Sequence, residues 1–587
     1  MTICLDRLER RMGMTLYEIV KKAASKVPKD VAYEYFDYER TYEDFIEDID
    51  KMAYVLSVYG ISKADKVGIC MVNSPKLLTL LYAVNKIGAV AVMLNPKSKG
   101  KELYTELTMT DCAILFFSDV AIKNIYEYAI LAQQNKIIPV IKIDTKENLP
   151  IMFKLGIMKK LYPFSWNSRI ISCIGREYYY SYKDFFEKYN TLVIENADNR
   201  YNVHNASAKQ DNNVNEYDDK EPAIILFSGG TTGEIKAIVH SSDSFNQSAK
   251  YCLKTEEPLP DKITMLAILP AFHIFGLSVA IHLPFVAMGK VILMPFFHAD
   301  TLCRRFIKEA PSFMPGVPTV FERMLKNDIF KKAAMNHTIN AKSFKHGFVG
   351  GDHLTEEVRN EFNNILRENG SDGYISMGYG MTECCPIAVC DRDIDEEACI
   401  GYAFPGNIIK ICTPGTDIEL EDGEKGEICV ISPAMMLYAY TEKGRIIKPY
   451  GENVKMLHTE DIGYIRDGRI YFECRIRRII KVSGHTIFAT AVESVIESNE
   501  NVEKAYVVPV YHSERGQGVF AYIVVKKSDG EAKYRHIRED ISRMCKEELI
   551  PYAVPVGYRF IEEKDVPKTS LMKIAWGELE KMAALEY

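Results

Sequence analysis

Ten residues, Phe227-Ser-Gly-Gly-Thr-Thr-Gly-Glu-Ile-Lys236, follow the strand-like run AIIL and gather glycines, hydroxyls and one lysine into a short loop. Such a loop suits polyphosphate. Gly229, Gly230 and Gly233 permit backbone geometry that aims successive N–H groups at an anion, while Ser228, Thr231 and Thr232 offer hydroxyl donors and Lys236 a positive charge. The spacing is not that of the nucleoside-triphosphatase P-loop, because Gly233 is followed by Glu234 rather than by lysine. Taken alone, a Gly/Thr-rich turn after a strand is more often only a turn, so the reading depends on what else the chain carries.

Further along come Leu269-Pro-Ala-Phe-His-Ile-Phe-Gly276, Gly316-Val-Pro-Thr319, Tyr379-Gly-Met-Thr-Glu383, His458-Thr-Glu-Asp-Ile-Gly463, Val482-Ser-Gly-His485 and Pro567-Lys-Thr-Ser-Leu-Met-Lys573. In this order, and with the phosphate loop ahead of them, the segments resemble the motifs of the adenylate-forming superfamily, in particular its acyl-CoA synthetase and fatty acid-CoA ligase branch. The resemblance covers essentially the whole chain. It implies an ATP-dependent acid-CoA ligase that forms an acyl adenylate, passes the acyl group to coenzyme A and releases AMP and pyrophosphate. ATP, Mg²⁺ and coenzyme A are the implied cofactors and cosubstrates.

The same resemblance assigns roles by position. Lys573 becomes the catalytic lysine, Glu383 the Mg²⁺ ligand, Thr382 a contact to the α-phosphate, and Tyr379 and Gly380 part of the adenine motif. Asp461 is placed on the ribose hydroxyls, Arg475 at the start of an interdomain hinge beside the nucleotide, and Gly484 at the thiol tunnel. His273 is expected at the acid site, with Gly351 and Gly380 lining the acyl pocket. These roles are chemically sensible. Attack of a carboxylate on the α-phosphorus gathers negative charge, and a lysine about 4 Å away is worth on the order of 4 kcal/mol at an effective dielectric near 20. A hard cation prefers a carboxylate such as Glu383, and Asp461 has the lone pairs to accept both ribose hydroxyls.

The chain departs from the family pattern at several places. Ile235 and Ala237 stand where proline and glycine are usual, Glu460 and Tyr438 replace glycines, Arg477 takes a position generally held by Asp or Lys, and Met572 precedes the lysine in place of glycine. Gly380 falls where acetate-using members carry a bulky tryptophan, which favours a larger acid: a medium- or long-chain fatty acid or an aryl acid. His273 stands where amino-acid-activating domains place an aspartate, which disfavours an amino-acid substrate. Two alternatives stay open: a ligase that loads an acyl carrier protein, and a non-catalytic nucleotide-binding relative.

Elements must hold these residues in place. Between Lys66 and Asp119 the chain alternates KVGICMVNS, PKLLTLLYAVNKIG, AVAVMLN and AILFFSD, a βαβ pattern that predicts parallel sheets covered by helices. The alternation returns in AIILFSGG, TMLAILPAF, KVILMPFF and KHGFVGG, which predicts a second α/β layer. After Glu473, KAYVVPVYHS and GVFAYIVVKK read as a strand pair, followed by a charged helix over 533–548. The fold class expected is therefore α/β: a large N-terminal domain, 1–473, of layered α/β subdomains, and a small α+β domain, 474–587, with the boundary at CRIRR, 474–478. The resemblance adds a β-barrel-like part to the large domain and mobility to the small one.

Composition sets the outer limits. At 587 residues the chain exceeds the size of one core, and 47% hydrophobic with 26% charged residues is ordinary for a globular protein. A net charge of -7 disfavours a nucleic-acid binder. MTICLDRLERRMGMTL shows no export signal, and Ile274–Phe297 is interrupted by His282, Pro284, Gly289 and Lys290, which reads as buried core rather than a membrane span. The 14 cysteines lack a Cys-x-x-Cys, which fits reduced thiols in a cytoplasmic enzyme. The basic, aromatic stretch 153–189 reads as a solvated insertion, with membrane contact as the alternative, and 199–220 as a mobile surface connection.

Overall fold

The computed structural model describes residues 13–133, 136–144, 165–197, 218–229, 235–256, 258–260, 262–389, 396, 398–449, 455–483, 485–526, 531–568 and 574–587. Its contacts divide the chain into two compact units: one of 1–228, 235–408 and 431–455, the other of 229–234, 409–430 and 456–587.

In the first unit a nine-stranded sheet runs in the order Ile446–Ile447, Tyr438–Thr441, Ile235–Ser241, Pro222–Gly229, Val90–Met93, Lys66–Cys70, Ile114–Ser118, Val140–Ile143 and Tyr179–Ser181. The stretch from Pro222–Gly229 to Tyr179–Ser181 is parallel, as expected for strands joined by helical crossovers. The inner strands Val90–Met93, Lys66–Cys70 and Ile114–Ser118 are largely apolar runs buried on both faces, as covered parallel sheets require, whereas the edge strand Tyr179–Ser181 is half-buried. The helix Pro75–Lys86 begins at Ser74, whose hydroxyl accepts the Leu77 N–H, with Pro75 in the first turn. Tyr82 packs edge to face against Phe45 and Phe285, which are tilted against each other, with ring centroids 5.5–5.8 Å apart.

A second layer contains Thr264–Ala267, Lys290–Leu293, Val31–Tyr35 and Tyr38–Thr41 in that order. Phe313 bridges Met265 in this sheet to His346, the first residue of the strand His346–Val349. From there the strands Tyr374–Met381, Cys384–Val389 and Cys399–Ala403 follow. The expected second layer is thus present, with one correction: AIILFSGG joins the first sheet beside Val90–Met93. Strand type is written locally, but which edge a strand joins depends on distant partners.

Ile274–Phe297 is core, as its interruptions indicated. Gly276–His282 and Leu283–Val286 form one buried helical run, and Lys290–Leu293 returns as a strand. The solvated-insertion reading of 153–189 needs correction for the part described. Tyr179–Ser181 closes the nine-stranded sheet, and Phe185, Ile170 and Ile174 are buried, with Phe185 5.1 Å from the Tyr59 ring. The connection 199–217 lies outside the described residues.

In the second unit Leu457–Arg466 and Arg469–Arg475 form a hairpin, Gly426–Ile431 pairs antiparallel with the first of them, and Ile408–Cys412 follows. No closed barrel forms among the described residues, so the barrel-like part is an open antiparallel array. Beyond it, His485–Phe488, Ile479–Val482, Gly516–Val525 and Val502–His512 make a sheet, with Gly557–Phe560 added in parallel. The helices Ala489–Glu497, Glu531–Glu548 and Trp576–Glu586 accompany it, so the α+β reading of this region holds. No described helix is long and apolar enough to cross a membrane. The twelve described cysteines carry free thiols.

Candidate active site

The Tyr379–Glu383 segment forms the end of one strand and the tip of a hairpin. Tyr374–Met381 pairs with Cys384–Val389, with Tyr379 opposite Ala388 and Met381 opposite Cys384, and an irregularity between Tyr379 and Met381 exposes Gly380. Thr382 and Glu383 are therefore the turn. Both of their carbonyls are engaged: Thr382 O lies 2.8 Å from His240 Nε2, and Glu383 O accepts the Met436 N–H at 2.9 Å. The turn is thereby gripped from two sides.

His240 was not singled out by sequence reasoning. It ends the strand Ile235–Ser241, is 1% exposed, and burial pushes its pKa down to about 4. A carbonyl can only accept, so Nε2 carries the proton, and the neutral ring leaves Nδ1 facing Ser244 Oγ at 3.3 Å. The one available signal was a histidine at the end of an apolar strand just beyond the glycine-rich loop.

His273 sits on the turn after Thr264–Ala267. Its N–H donates to Pro270 O and its carbonyl accepts from Leu277 N–H at 2.8 Å, so the residue joins the turn to the helical run that follows. A second residue overlooked in the sequence builds this turn: the buried Asn73 amide donates to Leu269 O and accepts from Ala271 N–H, both at 2.9 Å. Gly276 is dictated by the same turn, since a Cβ there would stand 2.0 Å from Pro270 O. Phe275 lies close to Gly350, where an added Cβ would be 3.3 Å from its ring. Gly351 is exposed with φ +89°, a conformation that favours glycine.

Of the phosphate loop, Ser228 is half-buried one residue before the end of Pro222–Gly229, and Lys236 is the second residue of Ile235–Ser241, opposite Thr441. Gly229 closes its strand. Gly230, Thr231, Thr232 and Gly233 lie outside the described residues, as do Gly484 and Lys573. The departures Ala237 and Tyr438 acquire a reason: Ala237 is fully buried opposite Tyr440, and Tyr438 opposite Val239, in a strand pair extending the sheet.

In the second unit Asp461 and Arg475 face each other across the hairpin, with Arg475 Nε 3.2 Å from Asp461 Oδ1. Asp461 is 2% exposed and Arg475 48%. Asp461 N–H donates to Thr459 Oγ1, which donates to Ile428 O at 2.7 Å, so the strand fixes the carboxylate. Glu460, where the family carries glycine, has φ +60°, the left-handed conformation that explains the family's preference. Three residues after Arg475, Arg478 bonds Glu493 at 2.6 Å and lies 3.5 Å over the Trp576 ring. Two of the three arginines of CRIRR, Arg475 and Arg478, thus grip different neighbours, one the preceding hairpin and one the following sheet and terminal helix.

The AMP-binding enzyme model matches residues 20–438, and the AMP-binding enzyme C-terminal domain model matches 491–573. The chain belongs to the AMP-binding enzyme family. A long-chain-fatty-acid–CoA ligase of Bacillus subtilis (strain 168) is 25% identical over 577 residues, covering 95% of this chain and 93% of the relative. A probable 4-coumarate–CoA ligase of Dictyostelium discoideum is 25% identical, covering 87% and 86%. Among solved structures, an o-succinylbenzoate CoA synthetase from Bacillus subtilis holding its acyl-adenylate intermediate superposes with a TM-score of 0.70 at 19% identity, over 97% of this chain and 98% of that one. This AMP-binding enzyme is therefore an adenylate-forming acid-thiol ligase of the acyl-CoA synthetase branch.

Proposed function

We propose that the enzyme activates a medium- or long-chain fatty acid, or an aryl acid, as its acyl adenylate and transfers the acyl group to coenzyme A. The observation that carries the residue assignment is the Thr382–Glu383 turn, whose two carbonyls are spent on His240 and Met436. A turn so fixed suits a hydroxyl and a carboxylate that must meet a phosphate and its cation without reorganising. Glu383 is a hard oxygen donor suited to Mg²⁺, which supplies charge neutralisation to the ATP phosphates.

In the first step a carboxylate oxygen of the acid bonds to the α-phosphorus of ATP and pyrophosphate leaves. Thr382 donates to the α-phosphate, Lys573 offsets the charge that develops there, and the loop 228–236 receives the departing phosphates. Asp461 accepts from the ribose hydroxyls, and its ion pair with Arg475 fixes the carboxylate that does so. In the second step the coenzyme A sulfur attacks the acyl carbon, AMP leaves, and Gly484 gives the pantetheine arm room.

The pivot between the two steps falls at 474–478, with 1–473 and 474–587 as the moving parts. Support comes from the divided allegiance of Arg475 and Arg478 on either side of two residues. Gly380, exposed at the strand irregularity, leaves space for an acid longer than acetate. A cytoplasmic location belongs to the same proposal, and an acyl carrier protein is the alternative thiol acceptor.

The test is pyrophosphate and AMP release by purified enzyme with MgATP, coenzyme A and a panel of short, medium, long and aromatic acids, alongside Lys573→Ala. Release that depends on a medium, long or aromatic acid and falls about a hundredfold or more in the variant supports the assignment. Release with acetate alone, or an undiminished variant, overturns it.

A further inference from the structure

At the base of the strand that carries Asp461, a cluster of soft and hard donors converges on one point that the adenylation chemistry does not use. Cys429 Sγ lies 3.5 Å from His458 Nδ1, and Glu427 Oε2 lies 2.9 Å from the same nitrogen. One ligand atom from each of the three residues falls within 4.8 Å of the others. The Cys412 thiol, on the next strand, hydrogen-bonds the Cys429 thiol. Cys412, Cys429 and Glu427 are buried, and the His458 side chain is 11% exposed.

The spacing is that of a coordination polyhedron. Bond lengths of about 2.3 Å to sulfur and 2.0 Å to imidazole nitrogen put the two ligands of a tetrahedral zinc about 3.5 Å apart. That is the Sγ to Nδ1 distance found here. The surroundings also match. His458 Nε2 lies 2.9 Å from Asp417 Oδ1, the carboxylate–histidine partnership that orients a metal-bound imidazole. Glu427 is held by two backbone donors, Gly415 N–H to Oε2 at 2.9 Å and Glu460 N–H to Oε1 at 3.0 Å. An imidazole between two carboxylates would account for His458, Glu427 and Asp417, but it gives no role to the Cys429 thiol at the same nitrogen.

We propose that Cys429, Glu427 and His458 form a binding site for a zinc-class divalent cation, with the Cys412 thiol and the Asp417 carboxylate as its outer-sphere partners. A thiolate, an imidazole and a carboxylate select a borderline-soft ion over Mg²⁺ or Ca²⁺, which take oxygen donors. Binding through Nδ1 releases the Cys429 thiol proton, and any proton on Nδ1, to solvent. The ion ties together two strands, Gly426–Ile431 and Leu457–Arg466, three residues before Asp461. It acts as a staple beneath the proposed ribose carboxylate rather than as a participant in the reaction.

The experiment is Co²⁺ titration of the reduced, full-length apoprotein, followed by Zn²⁺ competition. One equivalent of Co²⁺ should produce a thiolate-to-cobalt charge-transfer band that Zn²⁺ abolishes. Binding at the Glu383 position involves oxygen alone and gives no such band. Cys429→Ser should lose the sulfur band and bind Zn²⁺ at least about tenfold more weakly, while Cys545→Ser, a buried thiol elsewhere, leaves both unchanged. Should Cys429→Ser fail to fold, Asp417→Asn decides: this exposed side chain can be changed without disturbing the core, and Zn²⁺ affinity should fall about 10- to 100-fold. Absence of the band in wild-type protein, its persistence in Cys429→Ser, or an unaltered affinity in Asp417→Asn overturns the proposal.

Discussion

Replacing His240 by alanine and by glutamine separates its role in holding the Thr382–Glu383 turn from its role in filling space. The Nε2–H bond to Thr382 O is 2.8 Å long and the ring is 1% exposed. Losing the bond costs about 1 kcal/mol net, and leaving the carbonyl without its donor adds about 1–3 kcal/mol. Glutamine can put an N–H near the same place; alanine cannot. With about 1.4 kcal/mol per tenfold in rate, His240→Ala should lower kcat/KM for MgATP about 10- to 100-fold and raise KM for MgATP, whereas His240→Gln should stay within about threefold of wild type. The same pair has a pH signature. His240 is held neutral, its pKa pushed by burial from 6.5 to about 4, so its stabilisation is complete above 6.5 and is lost as pH falls towards 4. That interval corresponds to about 3 kcal/mol. The Tm of wild type should therefore fall on acidification more steeply than that of His240→Gln, with the remaining slope including His282, which burial pushes down to about 3. Equal losses in the two variants, or an unchanged KM for MgATP in His240→Ala, would refute the positioning role.

Asn73→Ala removes both bonds that shape the Leu269–Ala271 turn, so a loss of about 2–3 kcal/mol in urea unfolding is expected, together with a raised KM for the acid if His273 depends on that turn. Gly276→Ala places a methyl 2.0 Å from Pro270 O and should cost about 3 kcal/mol or more, read as a lowered Tm or as insoluble protein. Glu106 is buried with Oε2 lacking a hydrogen bond, and burial raises its pKa well above 4.5. Its folded form favours the protonated acid, so stability is complete below 4.5 and declines as pH rises. Glu106→Gln should accordingly raise Tm by a margin that is larger at pH 8 than at pH 6.

The local patterns were the legible part of this sequence. The apolar runs at 66–70, 90–93 and 114–118 announced parallel strands because a strand buried on both faces has no polar side to hide. What no local pattern states is sheet membership, and AIILFSGG is the example: its own residues fit either layer, and only pairing with Val90–Met93 decides. The aromatic stretch around Phe185 was misread for a related reason. Its lysines and tyrosines resemble a surface, yet Lys188 extends over the Tyr180 and Tyr189 rings at 5.3 and 5.0 Å, so the charges lie along a face whose other side is core.

The candidate site divides in the same way. Motif order picked out Thr382, Glu383, Asp461 and Arg475 as candidates, because groups proposed to meet a phosphate or a ribose must be chemically specific. Position along the chain could not reveal His240 or Asn73, whose partners are backbone atoms 142 and some 196–198 residues away. A backbone carbonyl leaves no trace in side-chain identity, so the residue that secures it looks like any buried polar side chain. Both sit at or just beyond the ends of strands, where the last ladder bonds are made and a turn must find its donors elsewhere. The same reasoning locates the thiol, imidazole and carboxylate cluster at His458, since Glu427 and Cys429 come from one strand and His458 from another, some thirty residues on. In this enzyme the groups proposed to touch substrate are written as motifs, while those that hold them in place are written only in the fold.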